Sequence, residues 1–201
     1  MAPTRNIVTI AGSSQVPSYT AFALAVVNDA LAQSPFAVTT LDAARLRLDF
    51  PGRPATDDAV RLRDAVRDAA GVVLATPEYH GGMSAMIKLV IENLGYPSML
   101  AGKPVALVGV ASGRIGAVKS LEQLRAVCGH VGALVVPSAV SVANVRAAFD
   151  RDGRCTDPGT GESLRDLAAS LLSFMRAYVC PKHIMEAAVR EGSGEPWAVT
   201  L

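Results

Sequence analysis

Seven consecutive residues, Thr76-Pro77-Glu78-Tyr79-His80-Gly81-Gly82, bring together a carboxylate, a phenol, an imidazole and two glycines. Tyr79 offers a flat face, and the glycines let a ligand come close to backbone N–H groups. A planar heterocycle suits such a surface. Glu78 could instead serve as the nucleophile of a glycosyl transfer, or only anchor a helix terminus. Tyr79 also reads as a core-edge aromatic, and His80 as a solvated loop residue. A second group, Gly12-Ser13-Ser14-Gln15-Val16-Pro17-Ser18-Tyr19-Thr20, sets small hydroxyls beside the free N–H groups of a helix start. That suits a phosphate, although an ordinary serine-capped turn has the same composition. A third, Ser112-Gly113-Arg114-Ile115-Gly116, can supply backbone contacts to the far edge of a ring, with Arg114 either a ligand or a surface charge. There is no G-x-G-x-x-G and no Walker lysine. The sequence shows no nucleophile–base–acid set, no metal-ligand spacing and no paired carboxylates, and no acidic cluster follows the first strand. No side chain is assigned as a catalytic acid or base, and no metal is expected.

Three strand-to-helix junctions must present these groups. Arg5–Ala11 reads as the first strand, with Ile7, Val8 and Ile10 β-branched and apolar. Ser18 caps a helix that carries Ala21, Phe22, Leu24, Ala25, Val27 and Leu31 on one broad side and ends by Pro35. Phe36–Leu41 is a second strand, and Asp42–Ala55 a long connection. Thr56 or Asp57 caps a helix through about Ala69, with Val60, Leu62 and Val66 inward. Val72–Ala75 is the central strand, stopped by Thr76 and Pro77. Met83–Leu94 has helical spacing at Met83, Met86, Ile87, Val90, Ile91 and Leu94. Val105–Val110 is a fourth strand. Ala117–Cys128 is a helix with Val118, Leu121, Leu124 and Val127 on its core face and Gly129 as its stop. Gly132–Val142 is a fifth strand, Phe149–Glu162 an exposed turn region, and Ser163–Tyr178 a last amphipathic helix. Val179–Leu201 shows no periodicity and reads as a tail.

Strand and helix thus alternate five times without a dividing linker, which predicts an α/β, flavodoxin-like three-layer sandwich with a five-stranded parallel sheet of order 2-1-3-4-5. One domain over residues 1–201, with 179–201 as its C-terminal tail, fits this length. In that order, the loops after strands one, three and four meet at one carboxyl edge, where open sheets bind ligands. Net charge is +1 with scattered cations, so no nucleic-acid footprint is expected. No apolar run reaches the length of a membrane span, and the first residues enter a strand pattern without a secretory h-region. Cys128, Cys155 and Cys180 match no zinc or C-x-x-C spacing and read as reduced thiols of a cytoplasmic protein.

The Gly12-Ser13 loop with Ser18, the TPEYHGG element with Met83 and Lys88, ASGRIG with Leu121 to Arg125, Val135-Val136-Pro137 and the Phe149-Asp150 to Gly153 turn occur in one order. From about Arg5 to about Tyr178 the chain resembles the NAD(P)H-dependent FMN reductase family, flavodoxin-like relatives of quinone, azo and chromate reductases. The resemblance implies FMN, with Ser13, Gln15, Ser18 and Thr20 around its phosphate and Tyr19 also binding the cofactor. Pro77, Glu78, Tyr79, His80 and Gly81 would border the isoalloxazine, and Ser112, Gly113 and Gly116 would finish the pocket. It also implies NADPH or NADH as co-substrate and a small-molecule electron acceptor. A homodimer or homotetramer would use the Met83–Leu94 helix and the Tyr96–Leu100 turn, with its Met99 and Leu100. Two departures stand out: Gln15 replaces a usual Arg, and Leu89 and Thr20 replace frequent Asn. Losing the Arg removes a charge-assisted contact worth about 1.5–3 kcal/mol. Phosphate binding then leans on N–H groups and the helix dipole. The other roles this surface could serve are those of a flavodoxin-type electron carrier, a redox sensor, or glycosyl transfer through Glu78.

Overall fold

Strands apolar on both faces need cover on both. The computed structural model describes residues 6–179 together with 181, 185 and 186. Its inner strands are β1 (Asn6–Ala11), β3 (Gly71–Tyr79) and β5 (Pro104–Val110), and its edges are β2 (Ala37–Asp42) and β6 (Leu134–Val142). All pair in parallel, in the order β2-β1-β3-β5-β6. This is the order expected from the alternation of strand and helix. A sixth strand, β4 (Gly82–Met83), is a two-residue antiparallel return on the end of β3 and lies off the main path.

The period of two along each inner strand sorts the core into two layers. Ile7, Val73, Ala75, Ala106 and Val108 face α1 (Tyr19–Leu31) and α6 (Pro158–Phe174). Val8, Ile10, Val72, Leu74, Val105 and Leu107 face α2 (Asp57–Asp68), α3 (Ala85–Asn93) and α4 (Val118–His130). Each fully buried Leu or Ile in these layers contributes about 1.5–3 kcal/mol of transfer free energy. A short α5 (Val145–Ala148) follows β6, and a π-helical turn, Met175–Val179, ends the described part of the last helix.

Several expected boundaries move, for local reasons. Thr76 and Pro77 do not stop β3, because β5 runs beside them and pairs them with Gly109 and Val110. The helix expected from Met83 begins at Ala85, because Ser84 caps it and Met83 belongs to β4. Gly129 lies within α4, which continues to His130. The expected turn region is shorter: Asp157 caps α6, which starts at Pro158, and Phe149 is buried and bridges to Cys155. Val60 and Val118 are exposed at 45% and 44%, and Ala25 is exposed as well. On α2 the buried stripe is Ala59, Leu62 and Val66. Leu100 is fully buried in the core, so it is not available to an interface between copies. The Val179–Leu201 tail lies outside the described residues apart from Val179, Pro181, Met185 and Glu186.

Candidate functional site

The carboxyl ends of β1, β3 and β5 carry the three loops singled out above. The one after β3 is a tight hairpin. Tyr79 pairs with Gly82, so the turn is His80-Gly81, and both turn residues have positive φ, 51° and 73°. That is the twist a two-residue hairpin requires, and it is why a glycine follows the histidine. The hairpin leans on α4. Gln123 Oε1 accepts from Met83 N–H at 3.2 Å, and a Cβ added to Gly82 would stand 3.0 Å from the same oxygen.

Glu78 is tied to the same helix. Ser18, Thr56, Ser84 and Asp157 cap α1, α2, α3 and α6 with their own side chains. Helix α4 has no side-chain cap of its own. Instead Glu78 Oε2 accepts from Ser120 N–H at 3.1 Å, and Ser141 Oγ accepts from Ala117 N–H at 2.8 Å. A carboxylate on free N–H groups at the positive end of a helix is a favourable placement. Glu78 thus anchors the start of α4 while it also lines the groove beside the hairpin.

The Ser112–Gly116 loop faces the hairpin across a groove of about 510 Å³. Its lining includes Glu78, Tyr79, Gly81, Ser112, Gly113 and Gly116, with Arg114 and Ile115 at the mouth. The loop is pinned from behind, since Asn144 N–H donates to Gly113 O and Val145 N–H to Ala111 O. Arg114 and His80 are exposed, and Pro77 is buried at the end of β3.

The loop after β1 sits beside this groove but does not line it. Gly12 lies so close to the neighbouring elements that an added Cβ would be 2.6 Å from Ile87 Cβ and 2.8 Å from Ala75 O. Beyond it, Ser14, Gln15, Val16 and Pro17 are exposed, while Ser13, Ser18 and Thr20 are buried at the start of α1. Ser13 Oγ accepts from Gln15 N–H at 3.1 Å, and Ser18 Oγ from Ala21 N–H at 3.1 Å. The Tyr19 ring packs edge-on against Phe22 at 5.6 Å, part of the α1–α6 layer. The stretch from Gly12 to Thr20 holds hydroxyls, amides and a helix N-terminus and no carboxylate, a donor set that fits a phosphate. The volume of the adjoining groove lies within the range of small-molecule sites. Together they fit a phosphorylated planar ring such as FMN.

Four residues that hold this geometry, Gln123, Ser141, Thr76 and Ser84, carry little signal in the sequence. Gln123 and Ser141 act across distances of 40 and 24 residues and sit in ordinary amphipathic segments. Thr76 and Ser84 were legible only as a strand stop and a helical residue. A serine three residues before Ile87 in an apolar run is a helix-start signal that would have found Ser84.

A parallel sheet of order β2-β1-β3-β5-β6 with helices on both faces defines a flavodoxin-like α/β protein. The chain belongs to the NADPH-dependent FMN reductase family, whose model matches residues 5–147. It is 35% identical over 104 residues to the NADH:(hydroxy)cinnamate reductase subunit CrdA of Vibrio ruber, covering 50% of this chain and 52% of that protein. It is 32% identical over 133 residues to an NAD(P)H-dependent FMN reductase of Pseudomonas aeruginosa, covering 64% and 69% respectively. The chain thus spans about half the length of the first relative. Among solved structures, the flavoenzyme NAD(P)H:(acceptor) oxidoreductase FerB of Paracoccus denitrificans shares the fold. Its TM-score is 0.70 and its identity 24%, over 86% of this chain and 98% of that one. Among the described residues, no helix is long and apolar enough to cross a membrane, and no cluster of metal-ligating side chains occurs.

Proposed function

We propose that this chain is an NAD(P)H-dependent, FMN-containing reductase that acts on a small-molecule acceptor: a quinone, an azo compound, a metal oxyanion or a free flavin. The observation that carries the reading is the juxtaposition at one sheet edge of a carboxylate-free helix N-terminus and a two-walled groove of about 510 Å³. Family membership supports it. FMN, when bound, supplies the hydride chemistry between nicotinamide and acceptor. The protein's part is to bind and orient. Ser13, Gln15, Ser18, Tyr19 and Thr20 form the phosphate end of the site. Pro77, Glu78, Tyr79, His80 and Gly81 border the ring from one side, and Ser112, Gly113 and Gly116 from the other. Backbone N–H groups of the hairpin stabilise negative charge on the ring, and no side chain is needed as acid or base. The exposed mouth takes nicotinamide and acceptor in turn, which predicts ping-pong kinetics.

The protein works in this reading as a homodimer or homotetramer in the cytoplasm. Support for self-association comes from a second groove, of about 680 Å³, between the 49–55 connection, α3 and α4. Phe50 and Tyr96 stand there 65% and 97% exposed. Sedimentation of the purified protein checks the state, and a monomer overturns it. Support for a reducing compartment comes from the unpaired Cys128 and Cys155.

The test of function is a visible spectrum of the purified protein with added FMN, before and after anaerobic addition of NADPH or NADH. The expected result is retained colour that bleaches on addition of the nucleotide and returns with a quinone. Tyr79→Asp should lower flavin retention, since a charge would then stand where a ring face is proposed. A colourless protein that never oxidises either nucleotide overturns the reading. Bound FMN without nicotinamide oxidation replaces it with an electron carrier.

A further inference from the structure

Two of the three loops are joined by a buried polar bridge. Thr76 and Ser84 are 0% and 2% exposed. Thr76 Oγ1 donates to Pro77 O at 3.0 Å and accepts from Ser84 N–H at 3.1 Å. The Ser84 hydroxyl accepts from Ile87 N–H at 3.0 Å, as a helix cap. It donates in turn to Gly12 O, across 72 residues of sequence. Gly12 N–H donates to Ala75 O at 2.8 Å, which closes the ring of bonds. Capping α3 uses only the lone pair of the Ser84 hydroxyl and leaves its proton to be satisfied by another acceptor. Here that proton holds the first residue of the Gly12–Thr20 loop against the end of β3. No side chain can intervene, because Gly12 is already within contact distance of Ile87 and Ala75.

We propose that Ser84 is a positioning residue that fixes the phosphate loop relative to the ring-binding hairpin, so that a ligand bearing both groups binds as one preorganised pair of subsites. The inference rests on the flavin reading above and deepens it. A ligand spanning two subsites gains from their fixed separation, and it loses that gain when the link is cut even if each subsite survives. The hairpin keeps its own supports, the Glu78–Ser120 and Met83–Gln123 bonds, when Ser84 is changed. The effect therefore falls on ligands that use both loops.

The test compares FMN with riboflavin, which has the same ring and no phosphate, by fluorescence titration of the full chain. Wild type should prefer FMN. Ser84→Gly removes the donor to Gly12 O while keeping an acceptable helix cap. It should lower the FMN-to-riboflavin affinity ratio about tenfold, with riboflavin affinity nearly unchanged. Ser84→Thr, which keeps the hydroxyl, should restore the ratio, whereas a purely structural role would weaken both flavins together. Ser84→Cys keeps the volume with only a weak S–H donor. It should fall on the Ser84→Gly side, and it carries the test if the glycine variant does not fold. A wild-type preference for FMN that persists undiminished in Ser84→Gly or Ser84→Cys overturns the inference and leaves the flavin reading standing. Wild type that binds both flavins equally overturns the inference and leaves the flavin reading standing, and wild type that binds neither overturns both.

Discussion

The loop after β3 and the loop after β1 lie side by side, yet they are held in opposite ways. From Thr76 to Ser84 the segment is held by groups distant in the chain: Gln123 Oε1 accepts from Met83 N–H, and the Glu78 carboxylate accepts from Ser120 N–H at the start of α4. From Ser14 to Pro17 the backbone is exposed, and the bonds that shape it are local, Ser13 to Gln15 and Ser18 to Ala21. The difference matches what each loop is proposed to bind. A flat ring is recognised by shape, which needs walls fixed in advance. A phosphate is recognised by charge and donors, which a helix N-terminus provides from its own backbone.

The comparison breaks most visibly at Gly12, where the two loops touch. Gly12→Ala should cost about 1–3 kcal/mol of stability in urea titrations, because neither Ile87 nor the Ala75 carbonyl can yield to an added methyl. Flavin binding should be lost with it. Gly113→Ala is the contrast: its added Cβ meets nothing within 4 Å. It should leave stability within about 0.5 kcal/mol of wild type.

A smaller effect is expected at Gln123. Gln123→Ala removes the acceptor of Met83 N–H and should cost about 1 kcal/mol. FMN and riboflavin affinities should fall together, by about threefold to tenfold in the same titration. A loss confined to FMN would show that the hairpin also serves the phosphate. The first loop is probed in the other direction by Gln15→Arg. The added guanidinium should raise FMN affinity about tenfold and steepen its salt dependence, leaving riboflavin unchanged.

The mildest expectation concerns the far end of α4, remote from the hairpin. Burial pushes the Cys128 thiol up to about 12, against 9.0 for a free thiol. Its folded pKa is raised, so the stability gained from the neutral thiol is complete below pH 9 and lost as pH climbs toward 12. Urea midpoints measured from pH 8 to 11 should fall more steeply in wild type than in Cys128→Ala. The FMN-to-riboflavin ratio should not differ between the two proteins at pH 8.

Much of the fold was legible because its signals are local and repeated. Buried strands such as Val72–Leu74 and Val105–Val108 show as apolar runs, and Ser18 and Thr56 show as helix caps. Where an element's bounds depart from the local pattern, a tertiary partner is responsible. β5 extends β3 past Pro77, and a two-residue β4 exists only because the end of β3 is there to pair with it. The site divides the same way. Ser13, Tyr79 and Gly113 announce themselves by type and spacing, whereas Gln123 and Ser141 look like any residue of an amphipathic helix or an edge strand.

Local patterns set the strand–helix alternation, and so the sheet order and the edge where three unusual loops must meet, because periodicity and capping are written in neighbouring residues. The packed fold alone makes Glu78 cap α4, Gln123 brace the hairpin and Ser84 join it to Gly12. Those bonds link residues 40 to 72 positions apart. Their partners are chosen by how the layers pack, which no local pattern records.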